Sequence, residues 1–568
     1  LQTTETHGRP GDVPQWLALT LIAAAVLVCY SVSLGYGFVY DDESQVAANP
    51  QITSLANTPQ FFTTYIGSHA MEGPSNYYRP LFSLWLALNY ALFGLNPFGW
   101  HLSTVLVHVC VCWMVYALAR MYLSEAAAGD DGERWALFAA LLFAVLPAHV
   151  ESVAWVSGVT DPLVGAALLG CYLLWARGRS WQAMLVLACG LLVKETAVIA
   201  PVLLLAHERF LRQRRWGAAA RRVTPSLVVV GMYLAVRFAV LHQMAHENSA
   251  MPLAQKLAAL PVVMAFYAVQ MVVSPQLALF HDEPFSSTVL GWPKWAALVF
   301  AALALGWMGY LAWRSRAARI AALWVVLPLA LVMDVAAFLP GEAVHDRYLY
   351  LASVGFVVLV AMTLRRWATG SAERSKLSYG VALALLVVCA ARTAIASLPW
   401  NDNLTLYSRA AAVAPGNASA HNNLAGEYFK RGMAPQAEAE FERAMALSPG
   451  YWLPPFNLGY IRMTEKRYAE AADFFRRAIA INPGAGAAYL QLAKADEAMG
   501  KYADAEVVMR AALRADARVA EFHMELGAVL LREGKRDEGR RELQLVSAGP
   551  KVTPELRRQA RELLGAQK

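Results

Sequence analysis

Residues 14–42, PQWLALTLIAAAVLVCYSVSLGYGFVYDD, form one apolar stretch that ends on two adjacent carboxylates, Asp41 and Asp42. The stretch is long enough to cross a bilayer as a helix. No small-residue cleavage pattern follows it before Asp41, so it reads as a retained transmembrane helix and not a leader. An acidic pair at a membrane surface carries a desolvation cost unless water, a counter-charge or a reaction makes use of it. Which other charges reach that surface decides what the pair does.

Outward from that stretch, the 568-residue chain is 57% hydrophobic and 16% charged, with a mean hydropathy of +0.37, too apolar for a single soluble domain. Apolar runs recur as far as residue 398, and the chain beyond them is Ala-rich, charged and helical in pattern. The pattern predicts an all-α protein with two domains, a polytopic membrane helical domain over 1–398 and a second helical domain over 399–568. The net charge of +7 gathers in short loops between apolar runs, which carries orientation information and argues against nucleic acid as a partner. All six cysteines lie in apolar runs, so no disulfide framework is expected.

The basic loops at Arg120 with Arg134, Arg177 with Arg179, Arg209–Arg222, Arg314–Arg319 and Arg365–Lys376 are placed on the inside by the positive-inside rule. The apolar stretch 181–206 then starts and ends inside, so it must break near Lys194-Glu195 and return. Stretches 79–95 and 257–274 are expected to lie along or re-enter the outer surface. About eleven crossings result. Asp41, Asp42, Arg79, Glu151, Asp161, Lys194, Glu195, His345, Asp346 and Arg347 are all brought to the outer face, with the second domain on the same side.

In the second domain Leu424, Leu458, Leu492 and Leu526 recur every 34 residues, with Ala437, Ala471 and Ala505 and the prolines Pro449 and Pro483 in register. That period marks tetratricopeptide repeats, here 418–451, 452–485, 486–519 and a degenerate 520–553. One polar column, Asn423, Asn457, Gln491 and Glu525, is a candidate for hydrogen bonding an extended peptide. The alternative is an ordinary solvated helix face.

Several segments in order, FVYDDESQVAANP (38–50), YYRPLFSLWLALNYALFGLNPFGWH (77–101), LLFAVLPAHVESVAWVSGVTDPL (141–163), LLVKETAV (191–198) and HDRYLYLASVGF (345–356), followed by the repeats, carry a resemblance. Together the set resembles the transmembrane and tetratricopeptide repeat-containing protein O-mannosyltransferases, members of the GT-C glycosyltransferase superfamily. The resemblance implies a GT-C-type membrane domain joined to a repeat solenoid. It also implies transfer, with inversion, of mannose or another hexose from a polyprenyl-phosphate carrier to a hydroxyl, in relatives a protein Ser or Thr, outside the membrane. The Ala- and Arg-rich composition looks bacterial, which would place the chain in an inner membrane with its N-terminus cytoplasmic and its repeats periplasmic.

An acceptor alcohol needs a carboxylate to take its proton, so Asp41 is the expected base and Asp42 the second choice. The leaving lipid phosphate needs positive charge, for which Lys194, Arg347 and Arg79 are the candidates. His149, Glu151, Asp161, Glu195 and His345 are candidates for holding the sugar or acceptor. Each has a plainer alternative. Asp41 and Asp42 could cap a helix starting near Glu43, and Asp161-Pro162 could open one. Lys194 and Glu195 could neutralise each other. His149 and Glu151 are too few to define a metal site, and a divalent metal would need Asp41 or Asp42 to complete it. A rival of another class is a non-catalytic membrane scaffold that recruits partners through the repeats, and a lipid or glycan acceptor is a further alternative.

Overall fold

The computed structural model describes residues 13–66, 77–124, 131–242, 253–282, 288–333, 344–515, 519–549 and 552–565. It divides into two compact units, Leu1–Val413 and Ala414–Lys568. Both are helical. The described strands are one two-residue antiparallel pair, Thr288–Val289 with Trp292–Pro293.

Among the described residues of the first unit, six helices are apolar and long enough to cross a bilayer, or seven if the bent pair Gly132–Ala144 and Pro147–Ala154 counts as one span. The sequence-based count of about eleven also draws on shorter apolar helices such as Gln15–Tyr30 and Ser180–Val193. The long helices fall into two kinds. In Ser157–Ala176 and Asp346–Ala368 the apolar window is 67% buried, so these helices form the interior. In Trp216–Leu241, Lys294–Arg314 and Ala372–Asn401 only 17% is buried, an apolar exterior suited to lipid. Interior helices approach closely where side chains vanish. A Cβ at Gly355 would lie 2.0 Å from the Ala321 carbonyl oxygen and 2.9 Å from Trp324 Cβ, so Leu349–Ala368 and Arg316–Val332 touch backbone to backbone there.

The stretch expected to break does so. Ser180–Val193 stops at Lys194, whose φ of −156° and ψ of 136° are extended, and the chain resumes as Glu195–Ile199 and Ala200–Ala206. The ambiguous stretches are helices, Pro80–Phe93 and Leu253–Val272. Residues 399–413, grouped by sequence with the repeats, belong to the first unit: the Asn401 carbonyl accepts from the Gly37 N–H at 3.2 Å.

The second unit consists of helix pairs Ala418–Lys430 with Ala434–Leu447, Leu453–Thr464 with Tyr468–Ile481, Gly486–Ala498 with Tyr502–Ala515 and Ala520–Glu533 with Arg536–Ala548, then Pro554–Gly565. The period-34 leucines are buried and the register alanines Ala437, Ala471 and Ala505 are fully enclosed, because a larger side chain would push the paired helices apart.

Candidate active site

The loop after the first helix is held from three directions. Asp42 is fully buried, with Oδ1 accepting from the Ser157 N–H at 2.8 Å and the Ser157 hydroxyl at 2.5 Å and Oδ2 accepting from the Val39 N–H at 3.3 Å. Burial pushes its carboxyl up to about 7, against the pull of the Ser157 bonds. Asp42 does precede the helical turn Glu43–Ala47, but its side chain makes no capping bond, so the capping alternative fails for this residue. Tyr40 sits at φ 55°, a left-handed conformation costly for a residue with a Cβ. The cost is offset by packing and a strap: the Tyr40 N–H donates to Asn403 Oδ1 at 2.8 Å, and Asn403 Nδ2 donates to Glu43 Oε1 at 2.6 Å. The Tyr40 ring lies 5.6 Å from Trp155 and 6.0 Å from Phe280. Between these fixed points Asp41 is half-buried, its Oδ2 3.4 Å from Gln45 Nε2.

The other charged candidates form three ion pairs. Lys194 Nζ donates to Asp161 Oδ1 at 2.6 Å, and both side chains are buried. Arg79 grips Glu195 with two bonds, at 2.7 and 3.1 Å. Arg347 bonds Glu151 through its guanidinium, and its N–H donates to Glu151 Oε2 at 2.9 Å. The Arg347 guanidinium lies over Trp155 and Tyr348, with ring centres at 5.5 and 5.2 Å, and Lys194 Nζ is 5.9 Å from the Tyr348 ring. His345 Nδ1 is 3.8 Å from Glu151 Oε1.

Lys194 and Glu195 therefore do not neutralise each other. An extended residue sends successive side chains to opposite sides, so one turns to Asp161 and the other to Arg79. Asp161 is not the helix cap either: Val159 holds that position, and Asp161 Oδ2 is buried without a hydrogen-bond partner. His149 is drawn into the core, where Nε2 and the Ser353 hydroxyl are 2.7 Å apart and its ring packs on Phe143, Tyr350 and His108. That enclosure sets it apart from the half-buried Asp41 among the residues expected at the site. Among the described residues no three His, Cys, Asp or Glu side chains converge to hold a metal ion. Asp42 has also committed its oxygens to Ser157 and Val39.

Sequence reasoning missed Ser157, Asn403 and the role of Asp346. Buried Asp346 accepts from Gln270 Nε2 at 2.6 Å and the Ala278 N–H at 3.2 Å, with His281 Nε2 at 3.0 Å, and so fixes the segment after Leu253–Val272. Its place beside Arg347 was the one available signal. In the second unit Asn457 Nδ2 donates to Asn422 Oδ1 at 3.1 Å, and Asn422 Nδ2 lies 3.4 Å from Asn423 Oδ1. Asn423, Asn457 and Gln491 are all half-buried.

A tetratricopeptide repeat model matches residues 462–525. The chain is similar to Protein O-mannosyl-transferase F38B6.6 of Caenorhabditis elegans, 24% identical over 76% of this chain and 63% of that protein. It is 25% identical to Protein O-mannosyl-transferase TMTC3 of Mus musculus over 77% of this chain and 51% of that protein. A shorter match, 36% identical over 32% of this chain and 21% of the relative, is to Protein O-mannosyl-transferase Tmtc1 of Drosophila melanogaster. Thus the chain spans about half to two thirds of the length of the first two relatives. Among solved structures, the crystal structure of MamA is 18% identical, covering 29% of this chain and 88% of that one, with a TM-score of 0.23. By sequence, then, this chain is similar over about three quarters of its length to proteins named TMTC protein O-mannosyl-transferases, and its second unit contains tetratricopeptide repeats.

Proposed function

We propose that the chain is a membrane-embedded protein O-glycosyltransferase that moves a hexose from a polyprenyl phosphate to a Ser or Thr hydroxyl on the outer, periplasmic side of a bacterial inner membrane. The observation that supports it best is the gathering of the Asp41–Asp42 loop, Lys194 and Arg347 around Trp155, Ser157 and Tyr348. A scaffold has no need of three ion pairs, one of them buried on both sides, beside a strained acidic loop.

In this reading Asp41 accepts the proton of the acceptor hydroxyl while that oxygen bonds to the anomeric carbon from the face opposite the phosphate. The bond from the anomeric carbon to phosphate oxygen breaks, and the electron pair leaves with the lipid phosphate. Arg347, whose side chain is 19% exposed, and Lys194 stabilise the departing charge. Asp42 holds the loop on Ser157 and leaves its neighbour to act. The relatives' names support mannose as the sugar and protein as the acceptor, and the repeats would present that acceptor.

The test is transfer of labelled mannose from polyprenyl-phosphate mannose to membrane proteins by the full chain and by Asp41→Asn. Label on protein with the wild type, reduced at least ~100-fold in a folded variant, is the expected result. No label with either, beside an active control enzyme, would favour the scaffold.

A further inference from the structure

The other end of the membrane unit is rich in arginine. Arg347 and Arg365 bracket most of the Leu349–Ala368 helix, and the roughly 18 residues between them rise about 27 Å, close to the hydrocarbon thickness of about 30 Å. Around Arg365, a groove of about 480 Å³ is lined by Arg314, Arg316 and Arg366 together with Leu311 and Met362.

These arginines are not equivalent. Arg365 is buried and committed, with Nε donating to Asp131 Oδ1 at 2.9 Å and another guanidinium nitrogen bonding the Leu123 carbonyl. Arg314, Arg316 and Arg366 are exposed, and among the described residues no carboxylate forms an ion pair with any of them. Exposed guanidinium groups lining one groove make it a favourable place for an anion.

The surroundings say which kind of anion. Trp313 is 72% exposed and Trp367 is also exposed, aromatic rings of the sort that sit at headgroup level, and the Arg314 guanidinium lies 5.2 Å from the Trp313 ring centre. Along the same Lys294–Arg314 helix Leu303 is 68% exposed and Val299 is exposed, a continuous apolar track leading away from the arginines. A soluble anion would use the charges and ignore the track.

We propose that this groove binds the headgroup phosphate of an anionic membrane phospholipid, its acyl chains lying along the Lys294–Arg314 helix. The lipid joins the Arg314–Arg316 connection to the Leu349–Ala368 helix at the end distant from the carboxylate–cation cluster. It is a site for a resident bilayer lipid, separate from any glycosyl donor.

The experiment is native mass spectrometry and thermal unfolding of the full chain in detergent with phosphatidylglycerol, phosphatidylcholine or inorganic phosphate. The variants are Arg314→Gln/Arg316→Gln/Arg366→Gln and the corresponding Lys triple, with Arg365 kept. Phosphatidylglycerol should be retained at least ~10-fold more than phosphatidylcholine and should raise the midpoint, with phosphate alone giving no shift. The Gln triple should lose that preference and the Lys triple should keep most of it. Equal retention of the two lipids by wild type, an equal shift with inorganic phosphate, or an undiminished preference in the Gln triple would each overturn the proposal. If the Gln triple does not fold, the wild-type lipid comparison and the Lys triple decide.

Discussion

Lys194 paired with Asp161 is where a structural and a catalytic role can be separated. At 2.6 Å and an effective dielectric of about 20 the attraction is about 6 kcal/mol, opposed by several kcal/mol for burying each ion. Lys194→Met removes the attraction and leaves the Asp161 carboxylate enclosed with neither oxygen bonded, since Oδ2 already lacks a hydrogen-bond partner. The expected cost is about 3–5 kcal/mol, read as a large fall in thermal midpoint in detergent. Lys194→Met/Asp161→Asn removes both charges and should recover most of that loss. Transfer from polyprenyl-phosphate mannose should stay about 10²–10³-fold down in the double variant, the loss typical of deleting one donor to a developing anion. Wild-type transfer by the recovered double variant would refute a role for Lys194 in leaving-group stabilisation. An unchanged midpoint in Lys194→Met would refute the buried pair itself.

Asp42 gives a pH signature. Folded, it keeps its proton up to about pH 7, whereas the ordinary value is 3.8; between the two the folded state binds the additional proton. Its contribution to stability is therefore fully present below about pH 4 and is lost as pH rises to about 7. Asp42→Asn should flatten that part of a midpoint-against-pH profile, and a profile identical to wild type would contradict the burial of this carboxyl. Gly355→Ala should cost about 1–3 kcal/mol by forcing two interior helices apart, while Gly306→Ala, where a Cβ meets nothing within 4 Å, should be nearly neutral in the same thermal assay.

What the sequence made legible were features written in period and polarity. Apolar length marked the helices, the 34-residue spacing of Leu424, Leu458, Leu492 and Leu526 marked the repeats, and a charged pair inside residues 181–206 marked the break. The gathering of acids and bases followed from loop parity. Who pairs with whom did not, because side-chain partners are chosen by packing between distant segments. Ser157, the hydroxyl that clamps Asp42, lies inside one of the segments that carry the resemblance, but nothing in its residue type or spacing names its partner. His149 reads from sequence as a polar residue at a span end, and only the aromatic rings around it show it to be enclosed. Lys194 and Glu195 look like partners because they are adjacent, but the extended backbone between them sends them apart.

The strap from Asn403 has a consequence for biosynthesis. It holds Tyr40 from 363 positions further along the chain, and the Asn401 carbonyl holds Gly37 beside it. At about 5–20 residues per second, roughly 20–70 s separate synthesis of the acidic loop from synthesis of the residue that fixes its left-handed turn. Through that interval Asp41 and Asp42 lie on a loop that Ser157, 115 positions beyond Asp42, can clamp but that Asn403 does not yet fasten. The nascent membrane unit thus passes through insertion with its acidic loop not yet fully fastened, and the last fastening arrives only with the segment that leads into the repeats.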